Sequence, residues 1–258
     1  MQITCLIENT STAPALYAEH GLSLYIEANG KKILFDMGQT DKYIKNAKKL
    51  GIDLSAVDSA ILSHGHYDHG GGMSAFMELN TKAKIYLTPS AFLPHYNGEG
   101  KYIGLDQKLK NNERYIFTDD LYRISHGITL YSCNQNTREY GISTSGMTEE
   151  RDGIRCPDEF LHEQYLLIED EGKKVLISGC SHKGILDIVN WFQPDVLVGG
   201  FHFSKLPLDE TLTEYAKHLN RYNTNYFTCH CTGTEQYNFM KPHIRSLDYL
   251  STGNKITV

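Results

Sequence analysis

Residues 64–69 read His64-Gly65-His66-Tyr67-Asp68-His69. Four side chains of this stretch are of types that bind metals, and they come directly after the apolar run 60–62. Histidine supplies a neutral nitrogen and aspartate a hard anionic oxygen, a combination suited to zinc, iron or manganese. Because alternate side chains of an extended segment share a side, His64, His66 and Asp68 can converge. The stretch therefore predicts a site for two adjacent cations.

Three glycines, 70–72, follow the cluster and allow the backbone to approach an ion or ligand closely. The alternative is a histidine-rich surface loop, because twelve histidines in 258 residues produce some clustering by chance. A buried strand, four ligand-type side chains and glycines in this order form a far more demanding pattern, so the metal site is favoured.

The composition is that of an ordinary globular protein, with 40% hydrophobic and 22% charged residues. A formal net charge of −6 argues against a general nucleic-acid-binding protein, which needs a basic face. No apolar run approaches the ~20 residues of a membrane helix, and the first residues lack the features of a secretion signal. The six cysteines show no disulfide-framework spacing. We therefore expect a cytoplasmic protein with reduced thiols, without nucleic-acid or membrane partners.

Hydrophobic patterning predicts strands in hairpin groups towards both ends of the chain, with helices between them. The predicted strands are 3–8, 22–28, 31–35, 59–62, 84–87, 165–169, 174–178, 195–198 and 226–228. The predicted helices are 41–50, 73–79, 184–191 and 209–222. This order favours an α/β (α+β) protein with a two-sheet core and outer helices. We expect a single domain, 1–258, in which the glycine-rich segment of about 89–163 is a long substrate loop region.

Three later histidines, His182, His202 and His230, each follow a predicted strand. Active groups gather where strand ends give way to loops, because loops bring polar atoms together on a rigid frame. These three histidines are therefore candidate partners of the first cluster.

Together the motifs resemble those of the metallo-β-lactamase superfamily, whose hallmark is His-x-His-x-Asp-His. The stretches 179–185, 199–202 and 230–233 resemble one branch, which contains the archaeal enzyme 7,8-dihydropterin-6-methyl-4-(β-D-ribofuranosyl)aminobenzene 5′-phosphate synthase and many bacterial relatives without assigned substrates. The resemblance covers nearly the whole chain. It implies a four-layer αββα sandwich with a dinuclear metal site at one edge.

The resemblance also implies the ligands of each ion by position. The first ion is expected to be bound by His64, His66 and His182. The second is expected to be bound by Asp68, His69 and His230. Both ions are expected to be divalent, with zinc first and manganese, iron or magnesium as alternatives.

Asp68 and His202 are the residues predicted to be catalytic. The motif that contains His202 implies a substrate contact or a general acid or base, which suits a group that titrates near neutral pH. The alternative for His202 is a structural histidine. A structural role is favoured for His162 and solvent exposure for His95. No metal-like setting is assigned to His20, to His126, to His218 or to His243, and Cys229 and Cys231 are expected to pack.

Cys180 stands where many superfamily hydrolases have a bridging aspartate. Because it lies two residues from His182, it can face the same side, and it is a further candidate ligand. The alternatives are that Cys180 lies beside the ligands without binding an ion, or that its side chain only packs. Without the aspartate, Asp68 supplies the one formal negative charge against two divalent ions. This balance predicts a small anionic, phosphate-bearing substrate.

The leading hypothesis is a metal-dependent hydrolase in which water is activated between two ions. The first alternative is a transferase of the branch type, in which a dihydropterin diphosphate loses diphosphate to an aromatic carbon nucleophile. A di-iron redox enzyme is disfavoured, because such members resemble His-x-Glu-x-Asp-His and need a flavin domain. A non-catalytic metal or ligand sensor is disfavoured by the complete ligand set. Self-association into a homo-oligomer is left open.

Overall fold

The computed structural model describes residues 1–141 and 146–258, so part of the predicted loop region, 142–145, lies outside the described residues. The strands, numbered in chain order, are β1 (Gln2–Ile7), β2 (Ser23–Ala28), β3 (Lys31–Phe35), β4 (Ser59–Ile61), β5 (Lys84–Leu87), β6 (His95–Tyr96), β7 (Tyr115–Phe117), β8 (Leu121–Ser125), β9 (Ile128–Tyr131), β10 (Thr148–Arg151), β11 (Ile154–Pro157), β12 (Tyr165–Asp170), β13 (Lys173–Ile177), β14 (Val196–Gly199), β15 (Asn225–Thr228), β16 (Leu247–Tyr249) and β17 (Lys255–Thr257). The helices are α1 (Lys42–Lys49), α2 (Tyr67–Gly70), α3 (Met73–Leu79), α4 (Ile185–Phe192), α5 (Glu210–Leu219) and α6 (Thr234–Met240).

Two seven-stranded sheets form the core of the described chain. Their strand orders are β17-β1-β2-β3-β4-β5-β7 and β16-β15-β14-β13-β12-β9-β8. In each sheet, strands joined as antiparallel hairpins lead into a parallel part, β3-β4-β5-β7 in one sheet and β13-β14-β15-β16 in the other. The strands β11, β10 and β6 make a separate small sheet.

The layers follow from the alternation of side chains along each strand. On β3, Ile33 lies between the two sheets, whereas Leu34 packs with side chains of α1 and α3. On β13, Val175 lies between the sheets, whereas Leu176 packs with side chains of α4 and α5. Both sheets are therefore apolar on both faces and are covered by helices outside. The predicted four-layer αββα sandwich is confirmed.

The segment 89–163 is more ordered than the sequence predicts. It contains β6 to β11, of which β7 extends the first sheet, β8 and β9 extend the second, and the other three form the small sheet. Each of these strands has only two to five residues. Short, polar strands such as Thr-Glu-Glu-Arg in β10 give no period-two pattern, which is why sequence reasoning interpreted the segment as irregular.

Four strand ends bring polar loops to one edge of the sandwich. The carboxyl ends of the parallel strands β13, β14 and β15 meet at the same edge of the second sheet, and the loop after β4 lies against them. Gly179, after β13, approaches Ser63 so closely that a Cβ at this glycine would overlap the serine side chain. The glycine is therefore needed for the contact between the two loops.

The helices are short, and the longest, α5, has ten residues. In the described part of the chain, none has the length and apolarity that crossing a membrane requires. All of them except α2 cover the outer faces of the two sheets.

Candidate metal centre

The loop after β4 divides its four ligand-type side chains into two groups. The backbone is extended at His66 and becomes helical at Tyr67, where α2 begins. The expectation that His64, His66 and Asp68 share one side of an extended segment is therefore wrong beyond His66. Because α2 turns the chain, Asp68 and His69 leave the loop in a different direction from the first two histidines.

The first group consists of His64, His66 and His182. Their ring centroids lie 4.5 to 4.9 Å apart, and one ligand atom of each lies within 4.8 Å of the others. All three side chains are buried. The structure thus brings His182 to two residues that lie more than a hundred positions before it in the sequence.

The second group consists of Asp68, His69 and His230. Asp68 Oδ2 lies 3.3 Å from His230 Nε2 and 3.7 Å from His69 Nε2, and the two Nε2 atoms are 3.2 Å apart. Ligands of a tetrahedral ion with bonds of about 2.0 Å are roughly 3.3 Å apart. The spacing of this group therefore fits a single ion.

Unpartnered nitrogens in the first group also fit an ion. His64 Nε2 and both ring nitrogens of His182 are buried and have no hydrogen-bond partner within the described residues. A buried nitrogen left without a partner lowers the free energy of unfolding by about 1–3 kcal/mol, and a bound ion removes this cost. Burial, helped by neighbouring histidines, holds the pKa values of His64 and His182 well below the usual value. Both rings are therefore neutral near pH 7, which is the form that binds divalent metals.

Side chains from other loops orient the second group. Asp36, the residue after β3, has an oxygen 2.6 Å from Nδ1 of His69, and Asn9 has its Oδ1 2.8 Å from Nδ1 of His230. Each contact leaves Nε2 of the histidine facing the centre. Burial alone lowers the pKa of His69, but the carboxylates of Asp36 and Asp68 raise it to about 9.

A buried carboxylate shapes the loop that carries His182. Glu163 accepts hydrogen bonds from the backbone N–H groups of His182 and Lys183, at 2.7 and 3.0 Å, and from the Tyr165 hydroxyl at 2.6 Å. Sequence reasoning missed this residue. The one feature of the sequence that could have indicated Glu163 is a charged side chain two residues before a buried strand.

Cys180 lies where it can contact both groups. Its Sγ is 3.2 Å from Nε2 of His69, and the ligand atoms of His64, His69 and Cys180 all lie within 4.8 Å of one another. Burial raises the pKa of the Cys180 thiol well above its usual value. An adjacent cation is therefore needed to hold this residue as a thiolate.

Three residues have settings that differ from the sequence-based expectation. His20 reaches the centre, with Nε2 3.2 Å from Asp68 Oδ2, because the loop before β2 folds over α2. Cys231 lies beside Cys180 and lines the cleft, because the chain enters a 3-10 turn at His230 instead of continuing β15. His95 is buried, although it was expected to be exposed. Cys229 and His162 are also buried, which agrees with the packing and structural roles expected for them.

A cleft of about 200 Å³ opens over both groups. His202 lines it, with its ring centroid 4.3 Å from that of His182. Burial, followed by the positive charge of Lys205, lowers the pKa of His202 to about 4, so the ring is neutral near pH 7. Lys205 supplies a cationic side chain, and Asn97 and Met147 come from the segment predicted to be a substrate loop.

Comparisons with known proteins agree with these features. The family model described as the metallo-beta-lactamase superfamily matches residues 16–218. The chain is 31% identical over 242 residues to the uncharacterized protein MJ0448 of Methanocaldococcus jannaschii, covering 90% of each. It is 29% identical over 266 residues to 7,8-dihydropterin-6-methyl-4-(beta-D-ribofuranosyl)-aminobenzene-5'-phosphate synthase of the same organism, covering 93% of this chain and 90% of that protein. The crystal structure of Tm1679, a metal-dependent hydrolase of the beta-lactamase superfamily, superposes with a TM-score of 0.84 at 31% identity, covering 100% of this chain and 99% of the other.

Proposed function

Because the chain belongs to the metallo-β-lactamase superfamily, we propose that it is a dinuclear metal-dependent hydrolase acting on a small phosphate-bearing substrate. The fold binds divalent metals, often zinc. The observation that carries the proposal is that members of both ligand groups line one cleft together with Lys205.

In this proposal the two groups have different tasks. His64, His66 and His182 hold one ion through neutral nitrogens, and the second group holds the other ion with one carboxylate. When bound, the ions lower the pKa of water and stabilise negative charge on phosphate oxygens. His202, neutral near pH 7, is placed to accept or return a proton at a ring nitrogen.

The charge balance of the cleft supports an anionic substrate. Asp68 is the one carboxylate among the six proposed ligands, so two divalent ions leave the loaded centre strongly positive. Lys205 adds a further cation at the cleft. Phosphate oxygens match such a site better than a neutral amide or ester does.

A second candidate is a transferase that condenses a dihydropterin diphosphate with an aromatic carbon nucleophile. The likeness to the 7,8-dihydropterin synthase over 93% of this chain favours it. In this reaction the same ions and Lys205 would bind the departing diphosphate.

The experiment that separates the two candidates measures the product released by zinc-loaded or manganese-loaded protein. Hydrolysis releases inorganic phosphate from simple phosphate esters without any acceptor. Transfer releases diphosphate only when an aromatic acceptor is present. A His66→Ala/Asp68→Ala variant is the background control, and release equal to that background in both assays would contradict the proposal.

Replacing Lys205 with methionine should weaken substrate binding more than catalysis. Losing a charge-assisted contact of about 1.5–3 kcal/mol should raise KM for a phosphate-bearing substrate roughly 10- to 100-fold. We expect kcat to change by less than about threefold. Steady-state kinetics test this, with Lys217→Met on the outer helix α5 as the matched control. An unchanged KM would remove Lys205 from the binding site.

Replacing Cys180 with serine should change the spectrum of cobalt-substituted protein. If the thiolate binds an ion, the sulfur-to-cobalt charge-transfer band is present in the wild type and disappears in Cys180→Ser. We expect the variant to bind zinc about 10- to 100-fold more weakly, as metal sites do on losing a supporting group. Cys156→Ser, which changes a half-buried thiol of the small sheet, should keep the band. A band that survives in Cys180→Ser would show that this thiol only packs.

A further inference from the structure

A second cluster of buried ligand-type side chains lies behind the centre, in contact with His66. It consists of His95, Asp158 and His162, which come from β6, from the residue after β11 and from the residues before β12. Together with His66, these side chains have ligand atoms within 4.8 Å of one another, and all four are buried. Neither the proposed reaction nor the motifs in the sequence use this cluster.

We propose that Asp158 and His95 are positioning residues that fix the orientation and tautomer of His66, and that His162 holds the adjoining loop. The inference rests on the proposed metal centre. The cluster is then a metal-free hydrogen-bonded support, not a third ion site.

The hydrogen bonds determine where the protons of His162 and His95 lie. The Gly65 N–H donates to His162 Nδ1 at 2.9 Å, so the proton of the neutral ring is on Nε2. His162 Nε2 lies 3.2 Å from Asp158 Oδ2, and His95 Nδ1 lies 3.0 Å from the same oxygen. Both imidazoles therefore donate to one carboxylate, and His95 Nε2 is left as an acceptor.

His66 also has a buried ring nitrogen without a hydrogen-bond partner among the described residues. Nε2 of His95 and Nε2 of His66 are both buried and lack a hydrogen-bond partner in the part of the chain that the structure describes. The two ring centroids are 5.6 Å apart. If His66 binds its ion through Nδ1, its proton is on Nε2, and His95 Nε2 is the neighbouring acceptor. A ligand atom of each of His66, His95 and Asp158 lies within 4.8 Å of the others. In the zinc-loaded protein we therefore expect His66 Nε2 to donate to His95 Nε2 and so to extend the support from Asp158 to His66, as a carboxylate does when it orients a metal-binding histidine.

The loop backbone is also adapted to this support. A Cβ at Gly65 would overlap the Ala91 carbonyl and would lie 3.0 Å from His95 Nε2. Glycine therefore lets the ligand loop approach the cluster, while His162 accepts the Gly65 N–H and fixes the backbone between two proposed ligands. The hydrogen bond from Gly65 to His162 therefore ties the ligand loop directly to the cluster.

The test combines zinc affinity with a measurement of the histidine tautomer. Asp158→Asn keeps the size of the side chain but places an amide donor near two imidazole donors. We expect zinc binding, measured by chelator competition, to weaken about 10- to 100-fold, while the wild type binds two ions per chain. In zinc-loaded, 15N-histidine-labelled wild type, we expect the His66 proton on Nε2. Asp187→Asn is the matched control, because that buried carboxylate accepts hydrogen bonds from the backbone N–H groups of Glu139 and Tyr140 and not from the imidazoles of the cluster.

Each contrary result has a distinct meaning. Wild-type zinc affinity in folded Asp158→Asn, or a His66 proton on Nδ1 in the wild type, would overturn this inference alone. A third equivalent of zinc that Asp158→Asn loses would overturn it in favour of a metal site. Wild-type protein that binds no ion would overturn both this inference and the proposed function. The tautomer measurement needs no variant, so it stands even if Asp158→Asn does not fold.

Discussion

Asp68→Ala should reduce the metal content to about one ion per chain and abolish turnover. Asp68 is the one carboxylate of the second group, and its Oδ2 lies 3.3 Å from His230 Nε2. Although burial opposes ionisation, His69, His20 and His230 hold the pKa of Asp68 well below its usual value. The residue is therefore an anion at neutral pH, and its loss leaves only histidine ligands for the second ion. We expect kcat to fall about 10³-fold or more.

Metal content by mass spectrometry after gel filtration, together with kcat, measures this effect. Asp195→Ala is a matched control, because this exposed aspartate lies before β14, at the end away from the centre. The control should keep two ions and wild-type turnover. If Asp68→Ala also keeps two ions, the assignment of Asp68 to the second ion is wrong.

Glu163→Ala should cause the largest loss of stability among single changes near the centre. It leaves three buried donors without an acceptor, the N–H groups of His182 and Lys183 and the hydroxyl of Tyr165. It also removes the carboxylate that acts most strongly on the Lys183 ammonium, whose pKa burial lowers to about 8. Because stranded buried donors and charges are costly, we expect the free energy of unfolding to fall by about 3–5 kcal/mol.

Urea unfolding of the metal-free protein tests this value. Tyr165→Phe is the matched control, because it removes only one of the three donors and should cost about 1 kcal/mol. In metal-loaded protein, Glu163→Ala should also bind the first ion more weakly, since the backbone at His182 is no longer fixed. A cost for Glu163→Ala no greater than that of Tyr165→Phe would contradict the role given to this carboxylate.

Much of the fold could be predicted because its strands have local patterns. The strands around residues 31–35 and 173–177 alternate or are continuously apolar, so their positions followed from the sequence. The ligand loop 64–69 is also a local pattern, and the later histidines follow recognisable strands. The structure places these histidines together, because strands whose ends meet at one edge bring their loops together.

What could not be predicted depends on contacts between distant segments. Asp36 and His20 reach the centre from other loops, and short-range sequence has no feature that pairs either with His69 or Asp68. Glu163 and Asp158 are carboxylates whose roles appear only when their hydrogen-bond partners are known. The helical turn at Tyr67, which separates the two ligand groups, is only four residues long and has no periodicity of its own.

Anomalous scattering from crystals of the zinc-loaded protein tests the paired metal centre most directly. We expect two zinc peaks, one within bonding distance, about 2 Å, of His64, His66 and His182, and one at the same distance from Asp68, His69 and His230. A single peak, or two peaks lying more than roughly 5 Å from these side chains, would contradict the claim that one cleft holds a pair of ions.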